Sequence, residues 1–467
     1  MNTRPLLLAK GVTLYLSEEN FEAIILLGQL EQSIQHPAIS HQPRAISHLE
    51  IPLQAEASKK IITPEENVYL AGLKSNRMSS GVHDNLYAYS LALKHNQELV
   101  VLVALDLLGL FWDDVEKIRQ KVVKEVGVPS GTTSPLKPEK IIIACTHQHS
   151  GPDTIGLWGP NDDLSGVSKK YMAYLREQVA ESIKSAVNSL KEAKISFSTT
   201  SAPGISVNIR DEKIIDNEIG VMKVEDVKGE TIAVMINYAS HPEVLWSENT
   251  LLTSDFPYYL RQKVEQKLGG MDLYFNSAQG CMITPKVEDH TFKEAERIGL
   301  SLAEKVLESL NSTNSSNSTN SMNSMNSMNS MNSMNSILLK REVIELPWEN
   351  PIFEVPLIEG EFKVIERELY SGKVRTEVSA LTIGDAQMVT IPGEASPTIG
   401  LRLKSKMKRP YKFVLGLGND EIGYILPKDD FTKEVYKYEI SRSVGPKTAP
   451  IIEEKLTQLM GHQWGQL

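Results

Sequence analysis

The sequence predicts an α/β fold. Three observations carry this reading. Short runs of Val, Ile, Leu and Ala alternate with longer amphipathic stretches along most of the chain, which is the pattern of strands interleaved with helices. Several of the runs end on histidine or on Gly- and Pro-containing turns, where α/β sheets place ligands. Hydrophobic residues make up 41% of the 467, ample for a large core.

The elements follow in order. Residues 1–52 read as an N-terminal extension, with a short amphipathic helix at 21–30 and a loop at 36–43. A regular domain, 53–467, follows. Its segment 98–105 is an unbroken apolar run and predicts a buried strand. A helix is expected at 112–126, a strand at 140–145, and a long helix at 168–193. Next come a strand at 231–238 and a helix at 256–268, the latter with Ser254 or Asp255 as cap and Pro257 in its first turn. Strands at 271–275, 337–346, 373–383, 387–391 and 411–415 complete the pattern, with an amphipathic stretch at 398–406. Residues 311–336 interrupt the domain with Asn, Ser, Thr and Met in repeats, without charge or apolar period. Such a composition is expected to form a disordered surface loop. Its sequons at Asn311, Asn314 and Asn317 read as repeat expansion.

A net charge of -10 argues against nucleic acid as partner, since phosphate binding needs a basic face. Two cysteines, Cys145 and Cys281, cannot build a disulfide framework and point to a reducing compartment. The apolar run 5–9 is too short for a signal-peptide core, and no stretch approaches the roughly 20 apolar residues of a membrane span. A cytoplasmic protein without an integral membrane segment is expected. Its oligomeric state is not legible in the sequence.

The strongest chemical signal is Thr146-His147-Gln148-His149-Ser150-Gly151-Pro152, directly after the strand at 140–145. Residues two apart on extended backbone face the same side, so both imidazoles can face one pocket and share a metal. A metallo-β-lactamase pattern fails, because Gly151 and Pro152 stand where Asp and His are required. An amidohydrolase barrel needs two later histidines and an Asp. Only His241, His290 and His462 remain downstream. His241 follows the strand at 231–238 and precedes Pro242. Glu394 sits on a tight turn, Pro392-Gly393-Glu394-Ala395-Ser396, at a helix start. Tyr424 closes Gly416-Leu417-Gly418-Asn419-Asp420-Glu421-Ile422-Gly423-Tyr424. Singly, each of these has a structural reading as well: a satisfied histidine, a helix cap, a core tyrosine.

Taken together and in order, these segments resemble the catalytic domain of the neutral/alkaline non-lysosomal ceramidases. The resemblance also takes in Ala71-Gly72, Gly81-Val82-His83-Asp84-Asn85-Leu86-Tyr87, Leu105-Asp106-Leu107, Asn237 to Pro242, Ser254-Asp255-Phe256-Pro257 and Tyr438-Glu439. It implies two mixed β-sheets sandwiched between helices in one large catalytic domain. It implies zinc held by His147, His241, Glu394 and Tyr424. It further implies His149 as the group handling protons, Arg210 reaching the polar groups of the substrate, and Tyr438 stabilising an oxyanion. Two departures stand out. Ceramidases carry Gly-Asp-x-Ser-Pro where this chain has Gly280-Cys281-Met282-Ile283-Thr284-Pro285, and they continue into a further β-sandwich domain that does not follow Tyr438-Glu439 here.

The expected activity is zinc-dependent hydrolysis of amide (N-acyl) bonds in a small-molecule substrate by metal-activated water, with soluble or short-chain compounds favoured over bilayer ceramide. A non-haem Fe(II) oxygenase would use a similar His/His/carboxylate set, and a catalytically inactive binding module remains the other alternative.

Overall fold

A computed structural model describes residues 3–8, 12–17, 52–127, 135–316, 336–350 and 370–461, of which 3–8, 12–17 and 312–316 as backbone. The chain divides into two compact units, Met1–Glu50 and Ile51–Leu467. In the first, Thr3–Leu8 and Val12–Ser17 pair as an antiparallel hairpin. The helix and loop expected at 21–30 and 36–43 lie outside the described residues.

The second unit is built on an eight-stranded sheet. Its strands are β1 (Gln54–Ile61), β2 (Tyr87–His95), β3 (Glu98–Leu105), β4 (Ile141–Cys145), β5 (Lys191–Ser201), β6 (Glu218–Asp226), β7 (Thr231–Tyr238) and β8 (Met271–Asn276). Their spatial order is β8-β7-β6-β5-β1-β2-β3-β4. Strands β1 and β5 meet only through Gln54–Glu192 and Ala55–Lys191, so two four-stranded halves join at a short seam. In each half one pair is parallel, β3 with β4 and β7 with β8. A parallel pair needs a crossover. Helices α1 (Trp112–Val126), α2 (Lys169–Asn188), α3 (Phe256–Leu268) and α4 (Phe292–Ser316) follow along the chain, and α1 and α3 are those crossovers.

A second sheet, β9 (Ile337–Pro347), β10 (Lys373–Ile383), β11 (Ala386–Thr390) and β12 (Tyr411–Leu415), packs face to face on the first. Strand β3 shows why its sequence is apolar throughout. Val101, Val103 and Leu105 pack on Val115 and Ile118 of α1 and Leu175 and Val179 of α2. Val100, Leu102 and Ala104 face the second sheet at Leu339, Leu381, Met388 and Phe413. A strand covered on both faces has no polar side to alternate with, and each fully buried Val or Leu contributes about 1.5–3 kcal/mol. In the other half, Val234 and Ile236 pack on Leu260 of α3 and Leu302 and Val306 of α4. The outer face of the second sheet, at Val378, Val389 and Val414, is covered by α5 (Pro397–Lys406) and, beyond the short α6 (Lys437–Ile440), by α7 (Thr448–Gly461). The architecture is therefore α/β, with two mixed sheets between helical layers.

Two expectations are corrected. The helix at 168–193 ends at Asn188, and Lys191 already belongs to β5, because the seam recruits it to pair with Ala55. The low-complexity tract does not begin as a loop. Helix α4 continues through Ser316, anchored to the core by Leu302, Val306 and Leu310. Ser and Asn reduce helix stability only by some tenths of a kcal/mol each. Residues 317–335 lie outside the described ones.

Candidate metal centre

The site lies where the C-terminal ends of the parallel pairs of both sheets meet. Beyond β4, the chain turns sharply at His147, whose φ of 65° is left-handed and rare for a residue with a Cβ. The turn is held by the His147 amide donating to Leu107 O (2.9 Å), in the loop after β3. His147 Nδ1 stands 2.8 Å from Leu108 O. Beyond β7, the His241 amide donates to Ile283 O (2.9 Å), and His241 Nδ1 lies 2.8 Å from the same oxygen. Both histidines are buried. With Nδ1 held against a carbonyl, each turns Nε2 into the site, the orientation that metal-binding imidazoles adopt.

Glu394 and Tyr424 come from the second sheet, after β11 and β12. Glu394–Ala395 and Tyr424–Ile425 form a two-residue parallel pair with Glu394 opposite Tyr424, so residues 30 apart in sequence become neighbours at the site's floor. The altered segment beginning at Gly280 supports this floor. The Gly280 amide donates to Ala395 O (2.9 Å), and a Cβ at Gly280 would stand 2.3 Å from Glu394 O. Cys281 and Met282 continue the turn at φ 59° and 61°. Thr284 sits in the short strand Ile283–Pro285, paired with Val207.

The rings of His147, His149 and His241 surround one point. Their centroids are 4.9–5.5 Å apart, and one nitrogen of each lies within 4.8 Å of the others. Glu394 Oε2 is 3.3 Å from His147 Nε2 and 3.2 Å from His241 Nε2. His149 makes no hydrogen bond through either ring nitrogen although both are buried. Its Nδ1 lies 3.3 Å from Glu243 Oε2, and its ring rests on Gly72, where a Cβ would stand 2.7 Å from His149 Cγ. Two imidazole Nε2 atoms, a shared carboxylate oxygen and an orphaned third imidazole are a donor set that fits a divalent cation taking nitrogen and oxygen ligands. A second carboxylate group, Glu125, Glu177 and Glu181, is paired with Lys121 and Lys184.

Burial opposes charge on Glu394, but the imidazoles of His147 and His241 prevail and hold its carboxyl well below the usual range. Burial, reinforced by the neighbouring Glu394, pushes the Tyr424 phenol well above 10. Burial and the adjacent His147 and His241 drive His149 well below 6.5, so this imidazole is neutral.

A pocket partly open to solvent leads to these groups. Its lining includes Leu73, Leu108, Phe111, Ile155, Leu157 and Trp158 as well as Tyr438 and Arg442. Tyr438 is half-exposed, its ring 5.9 Å from that of Tyr424. Burial raises the Tyr438 phenol, which stays protonated at neutral pH. Arg210 is not among the lining residues, and its Nε donates to the buried Glu439 Oε1 at 2.7 Å.

Sequence reasoning missed two supporting residues, Asn276 and Arg261. Asn276, at the end of β8, donates to both Thr146 O (3.0 Å) and Ser240 O (2.8 Å) and so ties the two histidine-bearing turns together. The motif residues Asp84, Asp106 and Ser254 form one buried network with Arg261. Its guanidinium is bidentate on Asp106 (2.9 and 3.0 Å) and donates to Ser254 Oγ, which meets Asp84. Asp255 is the cap of α3, accepting from the Phe256 amide at 2.7 Å. A lone asparagine after a strand gave no signal that could have singled out Asn276.

Residues 58–280 match the family described as neutral/alkaline non-lysosomal ceramidase, N-terminal. Among solved structures, neutral ceramidase from Pseudomonas aeruginosa shares the fold with a TM-score of 0.70 at 16% identity, over 88% of this chain and 74% of that one. A ceramidase complexed with C2 gives 0.68 at 15% identity, over 88% and 75%. Residues 58–280 thus match the N-terminal part of the neutral/alkaline non-lysosomal ceramidase family, and the fold of the chain is that of the solved ceramidases.

Proposed function

We propose that the protein is a zinc-dependent hydrolase of amide (N-acyl) bonds, ceramidase-like in mechanism. The observation that carries this reading is the convergence of His147 Nε2 and His241 Nε2 on Glu394 Oε2, at 3.3 and 3.2 Å. These three residues, completed by Tyr424, would hold the ion. When bound, zinc polarises a carbonyl and lowers the pKa of water to about 7.

The chain's own groups then have distinct tasks. The apolar lining of the pocket takes an acyl chain and excludes water from it. His149, neutral and beside Glu243, relays a proton to the leaving amine. The Tyr438 hydroxyl donates a hydrogen bond to the oxygen that becomes negative. Arg210, steadied by Glu439, addresses polar groups of the substrate at the rim.

Elemental analysis with turnover of N-acyl amides of graded chain length tests the proposal. The wild type should carry one zinc per chain. His241→Ala and Glu394→Ala should lose both metal and activity. Tyr438→Phe should keep zinc while the rate falls roughly 10²- to 10³-fold, the effect of losing one oxyanion donor. Full zinc in His241→Ala, or iron in place of zinc in the wild type, would overturn the assignment, and the second outcome would favour an oxygenase.

A further inference from the structure

Arg442 is not used by any step above, yet it lines the pocket that leads to the candidate metal centre. Its backbone is fixed to that centre. The Arg442 carbonyl accepts from the Tyr424 amide at 3.0 Å, and its own amide donates to Glu439 O at 3.1 Å. Its guanidinium carbon lies 4.1 Å from the centroid of the Tyr438 ring, a stacking that restricts the side chain and directs its edge past the tyrosine. Among the described residues, Nη1 donates to Ser441 Oγ (3.1 Å), and no carboxylate lies within ion-pair distance of the guanidinium. Arg442 is exposed, so its remaining N–H groups are open to a ligand.

The apolar part of the lining has a different character. Leu108, Phe111 and Ile155 are buried and join Leu157 and Trp158 in one apolar cluster. The only carboxylates among the pocket-lining residues are Glu394 and Glu421. The first is engaged by His147 and His241, and Glu421 Oε1 accepts from the Gly423 amide at 2.8 Å. The pocket therefore joins an apolar cluster, the buried groups of the candidate metal centre, and an exposed guanidinium stacked on Tyr438.

We propose that Arg442 selects substrates whose amine portion carries an anionic group, so that the preferred class is N-acyl amino acids and related N-acyl acids rather than neutral N-acyl amino alcohols. The proposal rests on the amide hydrolase reading. The acyl chain lies along Leu108, Phe111, Ile155, Leu157 and Trp158, the scissile carbonyl lies over the floor, and the anion meets the guanidinium. Arg is suited to this because its fork donates two parallel hydrogen bonds to a carboxylate. Hydrolysis adds water across the C–N bond, releasing a fatty acid and an amino acid, with no further reactant required.

The test compares N-octanoylglycine with N-octanoylethanolamine, whose amines have similar basicity and whose acyl chains are the same. With zinc-loaded protein, the glycine conjugate should have the higher kcat/KM, by about tenfold or more, carried mainly by KM. That is the size expected of one charge-assisted contact. Arg442→Gln should collapse the ratio toward one, and Arg442→Lys should restore part of it. Equal rates on the two amides, a preference for the ethanolamide, or a ratio that survives Arg442→Gln would overturn the proposal. Calorimetric binding of both compounds separates its failure from that of the hydrolase reading. Selective binding of octanoylglycine without turnover sinks the hydrolase and keeps the anion site; indifferent binding sinks the anion site.

Discussion

Gly72 offers a way to move His149 without touching the other imidazoles. Its φ of +77° is one that residues with a Cβ adopt at a cost of roughly 1–2 kcal/mol. A methyl group there would stand 2.7 Å from both Cγ and Nδ1 of His149. Ordinary contact begins at 3.4 Å, so the ring must retreat by about 0.7 Å. It has little room, because the His149 ring is packed against His147 and His241 and lies beside Glu243. Misplacement of a catalytic group by about 1 Å costs on the order of 10²-fold in rate. Gly72→Ala should therefore lower kcat on a short N-acyl amide by about 10- to 100-fold while zinc content stays at one per chain. The melting temperature should fall by a few degrees only, as 1–2 kcal/mol implies for a chain of this size. Zinc stoichiometry, thermal melts and initial rates on the same preparation decide the outcome. Loss of zinc would show that His149 is a ligand, in a three-histidine site, and would refute the division of labour proposed here. An unchanged rate would show that His149 takes no part in proton transfer.

Two further predictions concern the scaffold. Arg261→Met should destabilise the fold by about 3–5 kcal/mol in urea melts, because it strands the buried Asp106 carboxylate without its partner; a loss below 1 kcal/mol would show that the pair is not needed. Burial raises the Asp255 carboxyl from 3.8 to about 7. Its folded pKa thus exceeds its unfolded one, and stability attributable to this group falls as pH rises from about 4 to about 7. Between pH 5 and 8 the wild type should lose roughly 3 kcal/mol relative to Asp255→Asn, from about two pKa units at 1.36 kcal/mol each; parallel stability profiles for the two proteins would refute this.

Much of the secondary structure was legible because burial on both faces leaves a local mark. β3, β7, α1 and α3 coincide with their expected ranges, each a continuous apolar run or an amphipathic segment. β2 and β6 were not foreseen, and neither were β1 and β5. The sequences of the last two, QAEASKKI and KEAKISFSTTS, are rich in Lys, Glu and Ser, and they form the seam, where each half-sheet turns its polar edge to the other. What recruits them is pairing with distant residues, Gln54 with Glu192, and no local pattern encodes that.

The site divides in the same way. Local chemistry singled out His147, His149, His241, Glu394 and Tyr424, since each follows a strand in a turn whose residue types permit close backbone approach. The order of those turns carried the family resemblance. The sequence alone could not say that the turns converge. That was decided by the parallel pairs β3–β4, β7–β8 and β11–β12, which bring the ends of their strands together. It was decided also by Asn276, which fastens two of the turns, and by the pairing of Glu394 with Tyr424. Nor could the sequence show that Arg442 lines the pocket or that Arg210 is held by Glu439. A side chain's identity is local, but its partners are set by strand order and sheet packing, through contacts between residues far apart in the chain.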